Sequence, residues 1–226
     1  ELNRCFNGFL QFGTAGLRGP ISPGPSGMNR AVVSRTATAI ASFMKENNLT
    51  TVVIGRDARH RSADFAKDSA EIFAGAGIKT YLFSQEIPTP VLAFSVNKLN
   101  ANVGIMVTAS HNPATDNGYK VYLGASIGSV QYRGSQIISP IDKEISDLIE
   151  KVELAPTRSS NYEIVKEEII SDYILATAKL ATTPNNLKIV YTALHGVGMK
   201  TLVSVFEKAK FSKPILVSEQ ALPDPN

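Results

Sequence analysis

The chain has 226 residues, of which 43% are apolar and 19% are charged, a balance typical of folded globular domains rather than disordered chains. Its 23 lysines and arginines against 20 aspartates and glutamates leave a net charge of +3, too weak to indicate nucleic acid as a partner. The single cysteine, Cys5, excludes an internal disulfide and favours a reducing, cytoplasmic location. No apolar run approaches the ~20 residues of a membrane span, so we expect no membrane partner.

The two ends of the sequence do not resemble natural termini. The chain begins at Glu1, without an initiator methionine and without the basic-then-apolar order of a signal peptide. It stops at residues 222–226, a proline-rich run that is typical of the middle of a loop. We therefore expect the sequence to be part of a longer protein.

The first half of the chain alternates between helical and extended apolar patterns. Two helices are predicted from residues that recur every three or four positions, Val33, Ala37, Ile40, Ala41 and Met44 in the first and Phe65, Ser69, Ile72, Phe73 and Ala76 in the second. The second helix ends at residues 75–77, Gly-Ala-Gly, which tolerate left-handed backbone angles. Runs rich in β-branched or aromatic residues predict strands at 51–55, 79–83, 103–107 and 118–122, with a short helix before the third.

The second half is less regular. Residues 124–138 are interrupted by glycines and serines, and we expect them to form an exposed excursion. Two further helices are predicted from Ile141, Ile145, Leu148, Ile149 and Val152 and from Ile169, Tyr173, Ala176, Thr177 and Leu180. A fifth strand is predicted at 188–192, and residues 154–162 break the apolar pattern as a linker would.

This alternation predicts an α/β fold in which helices flank a layered, mixed sheet. The linker divides the chain into a first domain, residues 1–153, and the beginning of a second, similar α/β domain, residues 163–226. Ligands of α/β sheets bind outside the carboxyl ends of the strands. The residues that follow each predicted strand are therefore the first candidates for a functional site.

The most informative of these segments is Thr108-Ala109-Ser110-His111-Asn112-Pro113, directly after the strand 103–107. Ser110 would lie in the crevice, with small Ala109 allowing a ligand to approach and with His111 and Asn112 as hydrogen-bond donors. An ordinary turn, in which serine and asparagine bind nearby backbone groups, explains the pattern equally well. The residues alone leave both interpretations open.

The glycine-rich segment 12–20 is a second candidate. Gly13, Gly16 and Gly19 do not match a dinucleotide fingerprint, but they allow a tight backbone path around Thr14 and Arg18. Such a path could present amides and a guanidinium to a phosphate, or it could be a flexible N-terminal loop.

A third candidate is the segment 54–62, at the end of the strand 51–55. Arg56, Arg59 and Arg61 could attract an anionic substrate, but structural ion pairs are the favoured explanation for most of them. Lys120, on the strand 118–122, could likewise reach a phosphate or be a solvated strand residue.

Several common motifs are absent from the sequence. Residues 196–201 resemble a P-loop only superficially, because no glycine directly precedes Lys200. His60, His111 and His195 lack the spacing of zinc ligands, and no aspartate cluster supplies an all-protein magnesium site. A generic nucleotide-binding domain is therefore disfavoured.

Taken together, segments 12–19, 108–113, 116–120 and 192–198 resemble the α-D-phosphohexomutase superfamily of phosphoglucomutases and phosphomannomutases, and most closely its phosphoglucomutase-2 and phosphopentomutase branch. The resemblance implies a phosphosugar mutase whose phosphorylated Ser110 donates its phosphoryl group to a sugar phosphate. The bound bisphosphate then turns around and returns its other phosphate to the serine. Sugar 1- and 6-phosphates, or pentose 1- and 5-phosphates, would be interconverted.

The resemblance also implies roles for individual residues. Ser110, His111, Lys120 and Arg18 would be catalytic, and the phosphate or substrate would be bound by Thr14, Arg18, Ser110, His111, Asn112 and Lys120. Mg²⁺ is implied as the cofactor, with a phosphoryl oxygen on Ser110 as one ligand, and a sugar bisphosphate as the activator. Arg18 and Lys120 would stabilise the charge of the transferred phosphate, and His111 would assist by hydrogen bonding.

Members of the superfamily have four domains around one cleft, and this chain would cover the first domain and the opening of the second. It would end before the aspartate-rich loop that completes the metal site, so we expect it to be inactive alone. The segment 124–138 is longer than the connection usual in the superfamily. A non-catalytic sugar-phosphate-binding module is the alternative, and glucose, mannose and pentose phosphates all stay open as ligands.

Overall fold

The computed structural model describes residues 2–152, 156–181, 183 and 187–226. In chain order, its helices are α1 (Leu2–Phe6), α2 (Arg30–Glu46), α3 (Ser62–Gly75), α4 (Thr89–Lys98), α5 (Ile141–Lys151), α6 (Glu168–Ala178) and α7 (Met199–Lys208). Its strands are β1 (Leu17–Pro20), β2 (Thr51–Arg56), β3 (Lys79–Leu82), β4 (Val103–Val107), β5 (Asp116–Leu123), β6 (Ser126–Ile127), β7 (Val130–Gln131), β8 (Ser135–Gln136), β9 (Glu163–Ile164), β10 (Val190–Tyr191) and β11 (Ile215–Leu216).

The main sheet is mixed, as expected from the sequence. Its order is β1-β5-β4-β2-β3-β9, and β8 pairs with the same outer edge of β5 that β1 occupies further along. Strands β4, β2, β3 and β9 run parallel to one another, whereas β5 is antiparallel to β4 and β1 is antiparallel to β5. Because β2 and β4 are parallel neighbours, the loops that follow them leave the same edge of the sheet.

Helices cover both faces of this sheet. Along β2 the side chains alternate, so Val52 and Ile54 join the core under α2, α3 and α5, while Val53 joins the core under α4 and α6. The helical face predicted from Val33 to Met44 is buried in the first of these cores. The predicted α/β class, a sheet between two helical layers, is confirmed.

Residues 128–131 of the excursion 124–138 are exposed, as expected, but other parts of it are buried. Tyr132 and Ile137 are buried in the main core, and β8 pairs with β5. The amide of Asn97 on α4 donates to the carbonyl of Arg133 at 2.8 Å. The segment shows no regular apolar pattern because it is made of short elements joined by tight turns, the β6–β7 hairpin followed by β8.

Where it is described, the predicted linker 154–162 contacts helix α3; Leu154 and Ala155 are outside the described residues. Arg158 donates to the buried carboxylate of Asp68 at 2.6 Å and to Glu71 at 3.1 Å. The chain then adds β9 to the edge of β3. The domain boundaries at 153 and 163 stay predictions.

The last part of the chain forms a separate small βαβ unit. Strands β10 and β11 are parallel, α7 connects them, and α7 packs against α6. None of the helices in the described parts of the chain is both long and apolar enough to cross a membrane.

Candidate functional site

Ser110 lies in the loop that leaves the carboxyl end of β4, and its backbone is in the left-handed region with φ of 60°. For a residue with a side chain this conformation costs about 1–2 kcal/mol. The buried hydroxyl of Thr108 offsets part of that cost by accepting a hydrogen bond from the Ser110 amide at 3.0 Å. Ser110 itself is exposed while Ala109 is buried, so the loop presents the serine outward on a fixed backbone.

The rest of the loop is closed by its own hydrogen bonds. The amide of Asn112 donates to the carbonyl of Ala109 at 3.2 Å, and its side chain donates to the Asp116 carboxylate at 3.0 Å. The Asp116 amide donates to the carbonyl of Pro113 at 3.0 Å. Asn112, a predicted substrate ligand, therefore also holds the loop together.

The three arginines of segment 54–62 have different environments. Arg56 pairs with Glu86 at 2.7 Å and Arg61 pairs with Asp64 at 3.1 Å, as the structural interpretation predicted. Arg59 extends beneath the Ser110 loop and donates to its backbone carbonyls. Asp57 accepts hydrogen bonds from the Arg59 amide and from the Ser62 hydroxyl, and so fixes the start of α3.

A cleft of about 220 Å³ opens beside Ser110. Ser110, Asn112 and residues 57–59 line one side, and residues 194–197 and 224–226 line the other. His60 Nε2 lies 3.1 Å from the side-chain oxygen of Asn226, so the two sides of the cleft are also linked directly. The small βαβ unit thus meets the Ser110 loop through the segment 192–198 that the sequence singled out.

Arg18 and Lys120 form a cation pair beside this loop. Arg18 on β1 lies opposite Gly118 of β5, and Lys120 follows two residues further along β5. Burial lowers the pKa of Lys120, and the charge of Arg18 lowers it further. Among the described residues neither cation forms an ion pair, and the buried Nε of Arg18 has no hydrogen-bond acceptor. An anion would relieve both deficits.

Thr14 lies at the tip of a tight turn that packs onto β5. The amides and carbonyls of Gly13 and Gly16 bond each other at 3.1 and 2.7 Å, and the carbonyl of Thr14 accepts from the Gln136 side chain. Gly16 has φ of 75°, and a Cβ there would overlap the carbonyl oxygen of Tyr119. Only glycine fits this position, and of the two alternatives left open for this segment the flexible loop was wrong, because the segment is an ordered turn.

The structure brings some of the predicted residues together and leaves others apart. Ser110 and Asn112 share the cleft, and Arg18 lies near Lys120. Thr14 and the cation pair are not part of the lining of the cleft within the described residues. His111 is exposed next to Ser110.

The implied Mg²⁺ was tested against the side chains present. The described residues contain no group of three or more histidines, cysteines, aspartates or glutamates that could hold a metal ion. Asp116, three residues after the loop, and Asp57, which lines the cleft, are both engaged in hydrogen bonds. These residues do not fit a metal site by themselves.

These features define the class of protein. A serine held outward at the carboxyl end of a parallel strand is typical of the ligand-binding crevice of an α/β domain, and two cations without ion pairs among the described residues favour an anionic ligand.

Comparisons with known proteins agree with this class. Residues 10–155 match the family of phosphoglucomutase/phosphomannomutase, alpha/beta/alpha domain I. A Haemophilus influenzae protein named probable phosphomannomutase is 46% identical over 88% of this chain and 41% of its own length. A human phosphopentomutase is 36% identical over 100% of this chain and 39% of its own length. A Thermus thermophilus structure described as a phosphomannomutase covers 96% of this chain and 47% of its own, with a TM-score of 0.80 and 25% identity.

The chain therefore belongs to the phosphoglucomutase/phosphomannomutase family. It spans about two fifths of the length of the curated relatives it matches.

Sequence reasoning missed two groups that organise the site. Arg59 was treated as one of three similar arginines, and Gln136 lay in the segment 124–138, which was expected to be an exposed excursion. The signal for Arg59 was its place after β2, because loops that follow adjacent parallel strands meet at one edge. Gln136 carried no comparable signal, since its contact with Thr14 spans 122 residues of sequence.

Proposed function

We propose that this chain is the phosphoserine-bearing part of a phosphosugar mutase. The complete protein would interconvert phosphosugar isomers through a phosphorylated Ser110 and a bound sugar bisphosphate. The relatives it resembles are named for mannose, pentose, ribose and glucose phosphates, so the substrate class is an aldose monophosphate. Activity belongs to the longer protein, and we expect this chain alone to be inactive.

The proposed cycle consists of two phosphoryl transfers that leave the enzyme as it started. In the first transfer, the bond between phosphorus and Ser110 Oγ breaks, a bond to the acceptor hydroxyl of the sugar forms, and the hydroxyl proton passes to the serine oxygen. In the second, after the bisphosphate has turned around, the other phosphoryl group returns to Ser110 Oγ and the released sugar oxygen takes up the proton. A free sugar bisphosphate could phosphorylate an unmodified Ser110, which explains the expected activator.

One observation carries this proposal: the cation pair of Arg18 and Lys120, which has no counter-anion among the described residues. Phosphoryl transfer is catalysed mainly by positioning and by stabilising negative charge. A phosphoserine carries about −1.5 to −2 charges, which two cations suit. Burial and the charge of Arg18 lower the pKa of Lys120 in the chain without ligand. The negative charge of a bound phosphate would act in the opposite direction, raising that pKa and keeping the ammonium charged.

The remaining predicted residues have smaller parts. Thr14, held at the tip of its turn, would offer its hydroxyl and amide to the phosphate. His111, exposed beside Ser110, would hydrogen-bond the transferred group. Asn112 would also hydrogen-bond this group, while its side-chain amide keeps its bond to the Asp116 carboxylate. Mg²⁺, as the cofactor the family implies, would neutralise phosphoryl charge, with a phosphoryl oxygen on Ser110 as one ligand and further ligands beyond the described residues.

The test is phosphorylation of Ser110. The complete protein is incubated with glucose 1,6-bisphosphate, and the peptide containing Ser110 is analysed by mass spectrometry. We expect one added phosphoryl group on that peptide, none in Ser110→Ala, and normal labelling in Ser84→Ala, which changes another exposed serine. Mutase activity should disappear only in Ser110→Ala. Sugar-phosphate binding without labelled serine would refute the mutase and favour the binding-module alternative.

A further inference from the structure

Arg59 is the most heavily bonded side chain near Ser110. Its Nη1 donates to the carbonyls of Pro113 at 2.6 Å and Asp116 at 2.9 Å. Its Nη2 donates to the carbonyls of Ser110 at 3.1 Å and Asn112 at 2.7 Å. One guanidinium thus gathers four backbone carbonyls of a single loop.

These bonds leave Arg59 no donor for a ligand. A guanidinium has five N–H groups, and the four on its terminal nitrogens all point to carbonyls. The fifth, on Nε, lies 3.4 Å from the Asp57 carboxylate. The side chain is 14% exposed, so it is also shielded from solvent. Arg18 is the opposite case, a guanidinium with an unsatisfied buried donor.

We propose that Arg59 is a positioning residue for phosphoryl transfer, one that sets the direction of Ser110 and does not bind the phosphoryl group. This role rests on the proposed function of Ser110. The Ser110 backbone is bonded on both sides, its amide to Thr108 and its carbonyl to Arg59. With both peptide groups fixed and φ at 60°, the side chain leaves the loop in one direction.

Arg59 is itself held in place by its surroundings. Its amide donates to Asp57 at 3.0 Å, and Asp57 also accepts from Ser62 at 2.7 Å. Buried Asn117, on the strand after the loop, donates to the carbonyl of His60 at 2.8 Å and to Ser62 at 3.0 Å. The segment after β2 and the loop after β4 therefore form one bonded unit, with Arg59 at its centre.

Lysine cannot replace this arrangement. An ammonium is a point charge with three donors and cannot span four carbonyls as a planar fork does. Arg59→Lys thus keeps the charge and removes the geometry. Arg61→Lys is the matched control, because Arg61 lies two residues away, is 59% exposed on its side chain and pairs only with Asp64 among the described residues.

The first experiment measures the loop without any catalysis. Amide hydrogen exchange is followed in the complete protein at Ser110, Asn112 and Asp116, whose amides are bonded within the loop. In Arg59→Lys we expect exchange at these amides to accelerate about tenfold, with β4 unchanged and Arg61→Lys the same as wild type. Unchanged exchange in Arg59→Lys would overturn the inference, as would unfolding of the whole chain, which would make Arg59 a general stabilising residue.

The second experiment separates positioning from binding in the complete protein. Arg59→Lys should lower kcat about 100-fold and change KM less than about threefold, since misdirecting the reacting group affects turnover more than affinity. Arg59→Ala should recover activity when millimolar guanidinium is added, whereas Arg61→Ala and Ser110→Ala should not respond. A raised KM with normal kcat, or no rescue of folded Arg59→Ala, would overturn the inference. Failure of the proposed function looks different: wild-type protein would lack mutase activity.

Discussion

The Asp68 carboxylate offers a sharp test of how the first domain holds the segment that follows it. Asp68 is 1% exposed on α3 and accepts two hydrogen bonds from Arg30, both at 2.7 Å, and one from Arg158 at 2.6 Å. A hydrogen bond to a charged group contributes about 1.5–3 kcal/mol. The side chains of Arg30 and Arg158 are 63% and 37% exposed, so both cations regain water when the carboxylate is removed. We therefore expect Asp68→Asn to lower the free energy of unfolding by about 3 kcal/mol, well below the sum of three bonds.

Urea and thermal unfolding followed by circular dichroism would measure this change. A loss of this size corresponds to a Tm lower by roughly 6–12 °C for a domain of this length. Asp64→Asn, on the same helix but half exposed, is the control and should change the free energy of unfolding by less than about 0.5 kcal/mol. A change below about 1 kcal/mol in Asp68→Asn would show that the network does not hold the segment.

The same carboxylate predicts a pH dependence. Burial raises the pKa of Asp68, but the hydrogen bonds and charges of Arg30 and Arg158 outweigh it and leave the pKa below its usual value. A lowered pKa in the folded state means that the stabilisation is complete above the unfolded pKa of about 3.9 and is lost as the pH falls through the folded value. The difference between wild type and Asp68→Asn should therefore shrink below about pH 4.

Two further predictions concern the proposed phosphate site. Gly16→Ala should lower the free energy of unfolding by at least ~3 kcal/mol, because φ is 75° and the new Cβ would overlap the Tyr119 carbonyl. The control Gly13→Ala, which has open space around the new Cβ, should lower it by less than ~1 kcal/mol. Equal losses of both variants in urea unfolding would contradict this reasoning. Lys120→Met should raise Tm without ligand and weaken inorganic phosphate binding about tenfold in a calorimetric titration. Folding lowers the pKa of Lys120, so the unfolded chain binds more protons between this lowered pKa and about 10.5. The free energy of unfolding of the wild type should therefore rise with pH over that range, and Lys120→Met should lack the rise. The same pH profile in both proteins would refute the lowered pKa of Lys120.

The elements that could be predicted carry a local signal in the sequence, either a repeating apolar face or a short, unbroken apolar run. Helix α2 lies where it was expected because its apolar residues recur every three or four positions on one buried face, and β2 and β4 do so because each is a short, unbroken apolar run buried within the sheet. Ser110 could be found because it follows such a strand. Its direction could not, since that depends on Thr108 and on a guanidinium 51 residues earlier in the sequence.

Short elements fixed by distant partners were missed. Strand β1 has four residues and ends in Gly-Pro, and only its pairing with β5 makes it a strand. Strand β9 has two residues and exists because β3 offers a free edge. The predicted linker looked unstructured for the same reason: its polar residues bind Asp68 and Glu71 rather than repeating any pattern.

The edge strand β9 has a practical consequence for anyone who isolates the first domain. The family match ends at residue 155, before Glu163 and Ile164 cover Tyr81 and Leu82 of β3. A recombinant piece trimmed at that point would expose unpaired amides and carbonyls along β3, which invite intermolecular strand pairing and precipitation. Expression that continues past Val165, whose amide also bonds Leu82, should yield the better-behaved material.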